Sequence, residues 1–129
     1  MLAKRNVDTH LSKFGGDDTL VLPNSVEFFI PSEVIGKSDP ALQTAFVQII
    51  ALQFSKFFGG ANVVNSTSGY WASAERGVVV EPITIVQSNC DDASLDAALP
   101  AIGYLGELVK DTMLQDAVSI RVNGTLYII

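Results

Sequence analysis

Four groups of side chains in this sequence carry atoms able to do chemistry. Cys90 is the only cysteine and His10 the only histidine, so a thiol nucleophile with an imidazole base has one possible pairing, between residues far apart in the chain. A cysteine at the end of an apolar strand reads instead as a small buried hydrophobe. One histidine and one cysteine are too few for a nitrogen and sulfur zinc site, and the adjacent carboxylates Asp91 and Asp92 are not spaced to converge on a hard cation. Their place, directly before a helical pattern, is that of a helix cap. The glycine pair Gly59-Gly60 follows a helical segment rather than preceding one, so it stops a helix and does not present an N-terminus to a phosphate. No Gly-x-Ser-x-Gly elbow, His-Glu-x-x-His pair or phosphate-loop lysine occurs in the chain.

The fourth group is Tyr70, Trp71, Arg76 and Glu81. An aromatic pair on one strand would face a charged turn and a glutamate on its hairpin partner. Tyrosine and tryptophan join apolar area to a polar tip, arginine stacks or forks, and a glutamate inside an apolar strand is costly to bury alone. These four are the candidate ligand-binding residues. The competing reading makes Trp71 a sheet aromatic and sends Glu81 to solvent or to Arg76 across the turn. No residue is assigned as catalytic, and neither a metal nor a cofactor is expected.

The elements that must position these groups follow from periodicity and punctuation. Residues 25–31, with Val-Glu-Phe-Phe-Ile at their centre, read as the first core strand, ended by Pro31. Asp39-Pro40 is a cap followed by a first-position proline, predicting a helix over 41–58 with Leu42, Ala45, Phe46, Ile49, Gln53 and Phe57 as its stripe and Gly59 as its stop. Residues 62–65 extend briefly, Ser66–Gly69 has turn composition, and Tyr70–Ser73 reads as a strand, turning at Gly77 into the branched run 78–86. Glu81-Pro82 inside that run predicts a bulge or an edge position. Asp91–Ser94 caps a second helix that Pro100 should divide into a short turn and a main segment. Residues 117–122 alternate, Asn123-Gly124 signals a tight hairpin, and 125–129 return. Thr19–Leu22 could add an edge strand.

This order predicts one α+β domain over residues 25–129, preceded by an arm at 1–24. Its architecture is a ferredoxin-like two-layer sandwich, with two helices on one face of a mainly antiparallel sheet and an extra C-terminal hairpin strand. With 129 residues, 48% of them hydrophobic and 17% charged, the chain can bury a core without staples. Fourteen acidic against eight basic residues give a net charge of −6, which argues against nucleic acid as a partner. No run of about 18 apolar residues is present, so no membrane span is expected, and a lone cysteine points to a reducing, cytoplasmic setting.

The motifs Phe57-Phe58-Gly59-Gly60-Ala61, Gly69-Tyr70-Trp71, Gly77–Pro82, Gln115-Asp116-Ala117-Val118 and Asn123-Gly124 together make residues 26–129 resemble a family of small uncharacterised proteins from microbes and their phages. The resemblance implies a shared fold. It brings no assigned activity, and no functional residue can be carried over from it.

The expectation from these features is a non-enzymatic cytoplasmic binding protein that forms a homo-oligomer through its sheet or through the broad apolar surface of helix 41–58. One alternative is a phage-type inhibitor or sequestering protein, capturing a host protein or a small signalling ligand. The other is an enzyme using the Tyr70, Trp71 and Glu81 region.

Overall fold

The computed structural model describes residues 19–129; the expected arm, up to residue 18, and His10 within it lie outside the described residues. Strand β1 (Asn24–Ile30) opens the fold, and a small hairpin of β2 (Glu33–Val34) and β3 (Lys37–Ser38) follows it. Helix α1 (Pro40–Phe58), strands β4 (Asn62–Ser73) and β5 (Gly77–Cys90), helix α2 (Asp92–Thr112) and strands β6 (Ser119–Val122) and β7 (Thr125–Ile128) complete it. The main sheet runs β4-β5-β1-β6-β7, antiparallel throughout. Two helices pack on this sheet, as the sequence pattern predicts for a ferredoxin-like sandwich with an added strand.

Alternation in β1 decides which face is inside. Val26, Phe28 and Ile30 are buried, and Phe28 stands beside Val86 of β5 on one side and Ile120 of β6 on the other. Against this face α1 lays Phe46, Ile50 and Phe54, one residue every four. The buried row differs from the predicted stripe: Ile49 is 41% exposed and Phe54 is fully buried, because the aromatic rings of Phe28, Phe54 and Phe58 meet edge to face and turn the helix toward that seam. The ends of α1 form as expected. Asp39 Oδ1 accepts from the Leu42 N–H at 3.0 Å, and Gly59, at φ 89°, ends the helix by donating to the Ser55 carbonyl.

Four expectations need correction. Helix α2 is continuous from Asp92 through Pro100, with Leu95, Ala98, Ile102, Leu105, Gly106 and Val109 buried. Pro100 is exposed, and burial on both sides of it holds the helix together. Strand β4 runs unbroken through Ser66–Gly69, because the long β5 template pairs with it on both sides of a register shift between Val64 and Thr67. Strand β5 likewise extends to Cys90; the bulge lies in its partner β4 rather than at Glu81-Pro82, whereas the edge position expected there is found, because the β1 ladder ends at Thr84 and Glu81-Pro82 pair with β4 on one side. Residues 19–22 form no strand.

The β2–β3 hairpin was not legible beforehand. Its turn has Ile35 at φ 49° and Gly36 at φ 69°, and a branched residue gives no signal for a left-handed position. Leu114, directly after α2, is another non-glycine residue in this region, at φ 53°, a conformation costing about 1–2 kcal/mol for a residue with a side chain. At the far end of the sheet, Asn123-Gly124 makes the predicted turn. Asn123 donates to Asn24 Oδ1 and accepts from the Ser25 N–H, while Asn24 donates to Asp92, tying β1, α2 and the last hairpin together.

Candidate functional site

The ladder between β1 and β5 ends at the pair Ile30 and Thr84. Pro31 has no N–H, and the chain then leaves β5 for the β2–β3 hairpin, so the donors that follow must find acceptors elsewhere. Glu81 supplies one. Its carboxylate accepts from the Ser32 N–H at 3.2 Å and from the Ser32 hydroxyl at 3.1 Å, both on Oε2, and the Glu33 backbone N–H adds a further favourable contact. Glu81 is 3% exposed and Ser32 is also buried. Around them, the Ser32 carbonyl accepts from the Asp39 N–H at 2.7 Å, and Gln43 Nε2 donates to the Ile30 carbonyl at 3.1 Å. The start of α1 and the end of β1 are thus fixed by the same few residues that hold the carboxylate.

Burial pushes the proton affinity of Glu81 up, and the Ser32 hydrogen bonds pull it partly back; the negative charge of Glu33 raises it further. A carboxylate so placed is chemically distinct from an exposed one, because in a dry setting it attracts a cation strongly and takes up a proton more readily.

The other predicted residues divide around it. Arg76 does not pair with Glu81, and Glu81 does not point to solvent. Arg76 Nη1 instead lies 3.9 Å from Glu33 Oε1, and its guanidinium covers Gly36, where an added Cβ would come within 2.9 Å of Nη1. The positive φ of Gly36 is one that glycine takes without strain. Gly69 is opposite Glu81 across the β4–β5 ladder and Trp71 is opposite Val79, so strand alternation puts Trp71 on the Glu81 face. Trp71 is 37% exposed. Tyr70, opposite Val80 and 71% exposed, projects from the other face. The fold therefore puts Trp71 and Glu81 on one face, sets Arg76 beside Glu33, and separates Tyr70.

Ser32, Glu33 and Gln115 were missed. Gln115 Nε2 donates to the Glu33 carbonyl from the loop after α2. Pro31 immediately behind a strand was the available signal for Ser32, since it ends the ladder and strands the next donors; nothing local marks Gln115 as a partner of residue 33.

Cys90 is 1% exposed. Burial, with Asp91 and Asp92 close by, pushes its thiol up to about 11, so it stays protonated at neutral pH and is not an activated nucleophile. Native protein at pH 8 is therefore expected to resist iodoacetamide and to be alkylated at Cys90 once unfolded in urea, as read by intact mass; rapid alkylation of folded protein would contradict this burial. Asp91 accepts from the Ser94 N–H at 2.7 Å, and this contact holds its carboxyl below the usual range. Among the described residues no group of three or more His, Cys, Asp or Glu side chains could hold a metal ion. No helix among them is long and apolar enough to cross a membrane.

No protein-family model and no curated protein matches the sequence. Solved structures do. A phage SAM lyase in complex with S-methyl-5'-thioadenosine aligns with a TM-score of 0.59 at 16% identity, over 82% of this chain and 88% of that one. A phage SAM lyase in the apo state aligns with a TM-score of 0.57 at 18% identity, over 82% and 87% of the two chains. At these identities the likeness is one of fold. It nonetheless corrects the expectation of a non-enzymatic binding protein, which rested on the absence of a recognisable motif: both of these similar structures are those of an enzyme.

Proposed function

We propose that this protein is a lyase acting on S-adenosylmethionine or a closely related sulfonium nucleoside, with Glu81 as the group that meets the cationic part of the substrate. The observation that carries the reading is a carboxylate 3% exposed on β5, just beyond the end of the β1 ladder, in a fold shared with phage SAM lyases. Outside an active site, a buried carboxylate without a cationic partner is a cost.

The chemistry suits such a site. Release of S-methyl-5'-thioadenosine from S-adenosylmethionine breaks the bond between the sulfonium sulfur and Cγ of the amino-acid chain. The bonding pair goes to sulfur, which becomes a neutral thioether, and an oxygen of the substrate's own carboxylate bonds to Cγ, closing a lactone. No water is consumed and no protein base is required. Opposite charges cancel along this path, so a dry pocket favours the transition state over the solvated ion pair. Glu81 orients the cation, and Trp71, on the same face, offers a ring for the adenine or the sulfonium. The lone, buried Cys90 fits a reducing, cytoplasmic setting for this reaction.

The test is incubation of purified protein with S-adenosylmethionine and mass spectrometry of the products. Equal amounts of S-methyl-5'-thioadenosine and a four-carbon amino lactone are expected. Unchanged substrate after prolonged incubation with micromolar protein would overturn the reading, and an unsaturated four-carbon acid would replace internal displacement by elimination.

A further inference from the structure

We propose that Gln115 is a positioning residue for Glu81: from the loop after α2 it fastens the β2–β3 hairpin, while Arg76 fastens the same hairpin from the β4–β5 turn, and the two ties keep Ser32 and Glu33 against the carboxylate. This rests on the reading of Glu81 as the substrate-facing group.

Several independent features meet here. The Gln115 side chain donates to the Glu33 carbonyl across 82 residues of sequence and also reaches the Met113 carbonyl. Its own N–H returns to the Lys110 carbonyl at 2.9 Å, which closes the end of α2 in the manner usually served by a glycine. That place is held by Leu114 in a left-handed conformation. The unfavourable backbone delivers Gln115 to the hairpin, and strain retained by a fold is a pointer to use. On the other side, the half-exposed Arg76 pairs with Glu33 and lies over Gly36. Ser32 and Glu33 are consecutive, so a hairpin held at the Glu33 carbonyl and carboxylate presents the preceding N–H groups to Glu81 as a unit. The charged groups bearing on Glu81 are Glu33 and, through it, Arg76. The arrangement also gives a role to the Gln-x-x-Val segment, Gln115–Val118, which the catalytic reading leaves unused.

The experiment compares Gln115→Met, which keeps the length and loses the donor, with Gln115→Lys, which keeps a donor, and with Arg76→Met at a half-exposed position. In Gln115→Met, amide exchange at Ser32 and Glu33 should accelerate at least about tenfold, which is the change in opening equilibrium that one lost hydrogen bond of about 1.4 kcal/mol produces. The Glu81 titration followed by carbon NMR should move upward, because donors that hold the carboxylate are loosened. The acid-side midpoint of the pH-rate profile should follow it. Arg76→Met should move the same readouts in the same direction by less, and Gln115→Lys should restore them. Unchanged exchange and titration in both methionine variants overturn the proposal, and so does an effect that Gln115→Lys fails to restore. Should Gln115→Met not fold, the Arg76→Met result decides alone. Exchange and titration are read without substrate, so a wild-type protein with no turnover would remove the catalytic reading of Glu81 while leaving the clamp itself tested.

Discussion

Replacing Glu81 by glutamine is expected to lower turnover of S-adenosylmethionine by about 100-fold or more, the usual consequence of removing one electrostatic contact to a transition state, while leaving the protein folded. Glutamine keeps the shape and an oxygen that can accept from Ser32, so the end of β1 stays tied to β5. The stability of the two proteins should also diverge with pH in a defined sense. In the native state burial raises the proton affinity of Glu81, whereas in the unfolded chain it titrates near the ordinary value of about 4.3. Between those two points the folded form binds more protons than the unfolded form, so wild-type stability falls as pH rises through that window. The glutamine variant lacks this loss. Urea midpoints measured from pH 4 to pH 8 should shift in favour of the variant over the lower part of the range and keep that offset above it. Parallel curves, or a variant with full turnover, would show that Glu81 is neither strained by burial nor used.

The largest loss of stability should come from Phe54→Ala. Phe54 is fully buried, with its ring 6.4 Å from that of Phe28 and 5.4 Å from that of Phe58, so truncation opens a cavity where α1 meets the central strand. Comparable substitutions cost about 3–5 kcal/mol, a large part of the roughly 5–15 kcal/mol that holds a domain of this size together. A fall of about 10–20 °C in melting temperature is expected. By contrast Ile49→Ala, on the exposed side of the same helix, should cost about 1 kcal/mol or less. Equal losses at the two positions would return the buried row of α1 to the stripe that its sequence suggested.

That stripe shows where local reading stops. The helix 41–58 was recognisable from Asp39-Pro40 at one end and Gly59 at the other, because caps and stops act within a few residues. Which face of it turned inward was not, since nearly every side carries an apolar residue and the choice was made by the rings of Phe28 and Phe58. Pro100 misled for a related reason: proline weakens a helix wherever it stands, yet burial of Leu95, Ala98 and Ile102 around it outweighs the lost bond.

The candidate site divides along the same line. Glu81 and Trp71 were picked out because a glutamate in an apolar strand and an indole beside a turn are conspicuous residue types. Tyr70 was grouped with them by adjacency, although alternation along a strand sends neighbours to opposite faces. The competing reading paired Arg76 with Glu81 across the turn, whereas its guanidinium lies beside Glu33.

Residue order alone, then, sufficed for the two helices, the main-sheet strands, their succession and the two-layer architecture, though not for the β2–β3 hairpin, because hydrophobic period, caps and turns are short-range properties. The folded chain had to bring Ser32 and Glu33 to Glu81 and Gln115 to Glu33, since hydrogen bonds spanning 49 and 82 positions leave no trace in local pattern. Whether that glutamate was an ordinary surface charge or a buried carboxylate depended on where β1 parts from β5, and only three-dimensional packing determines that.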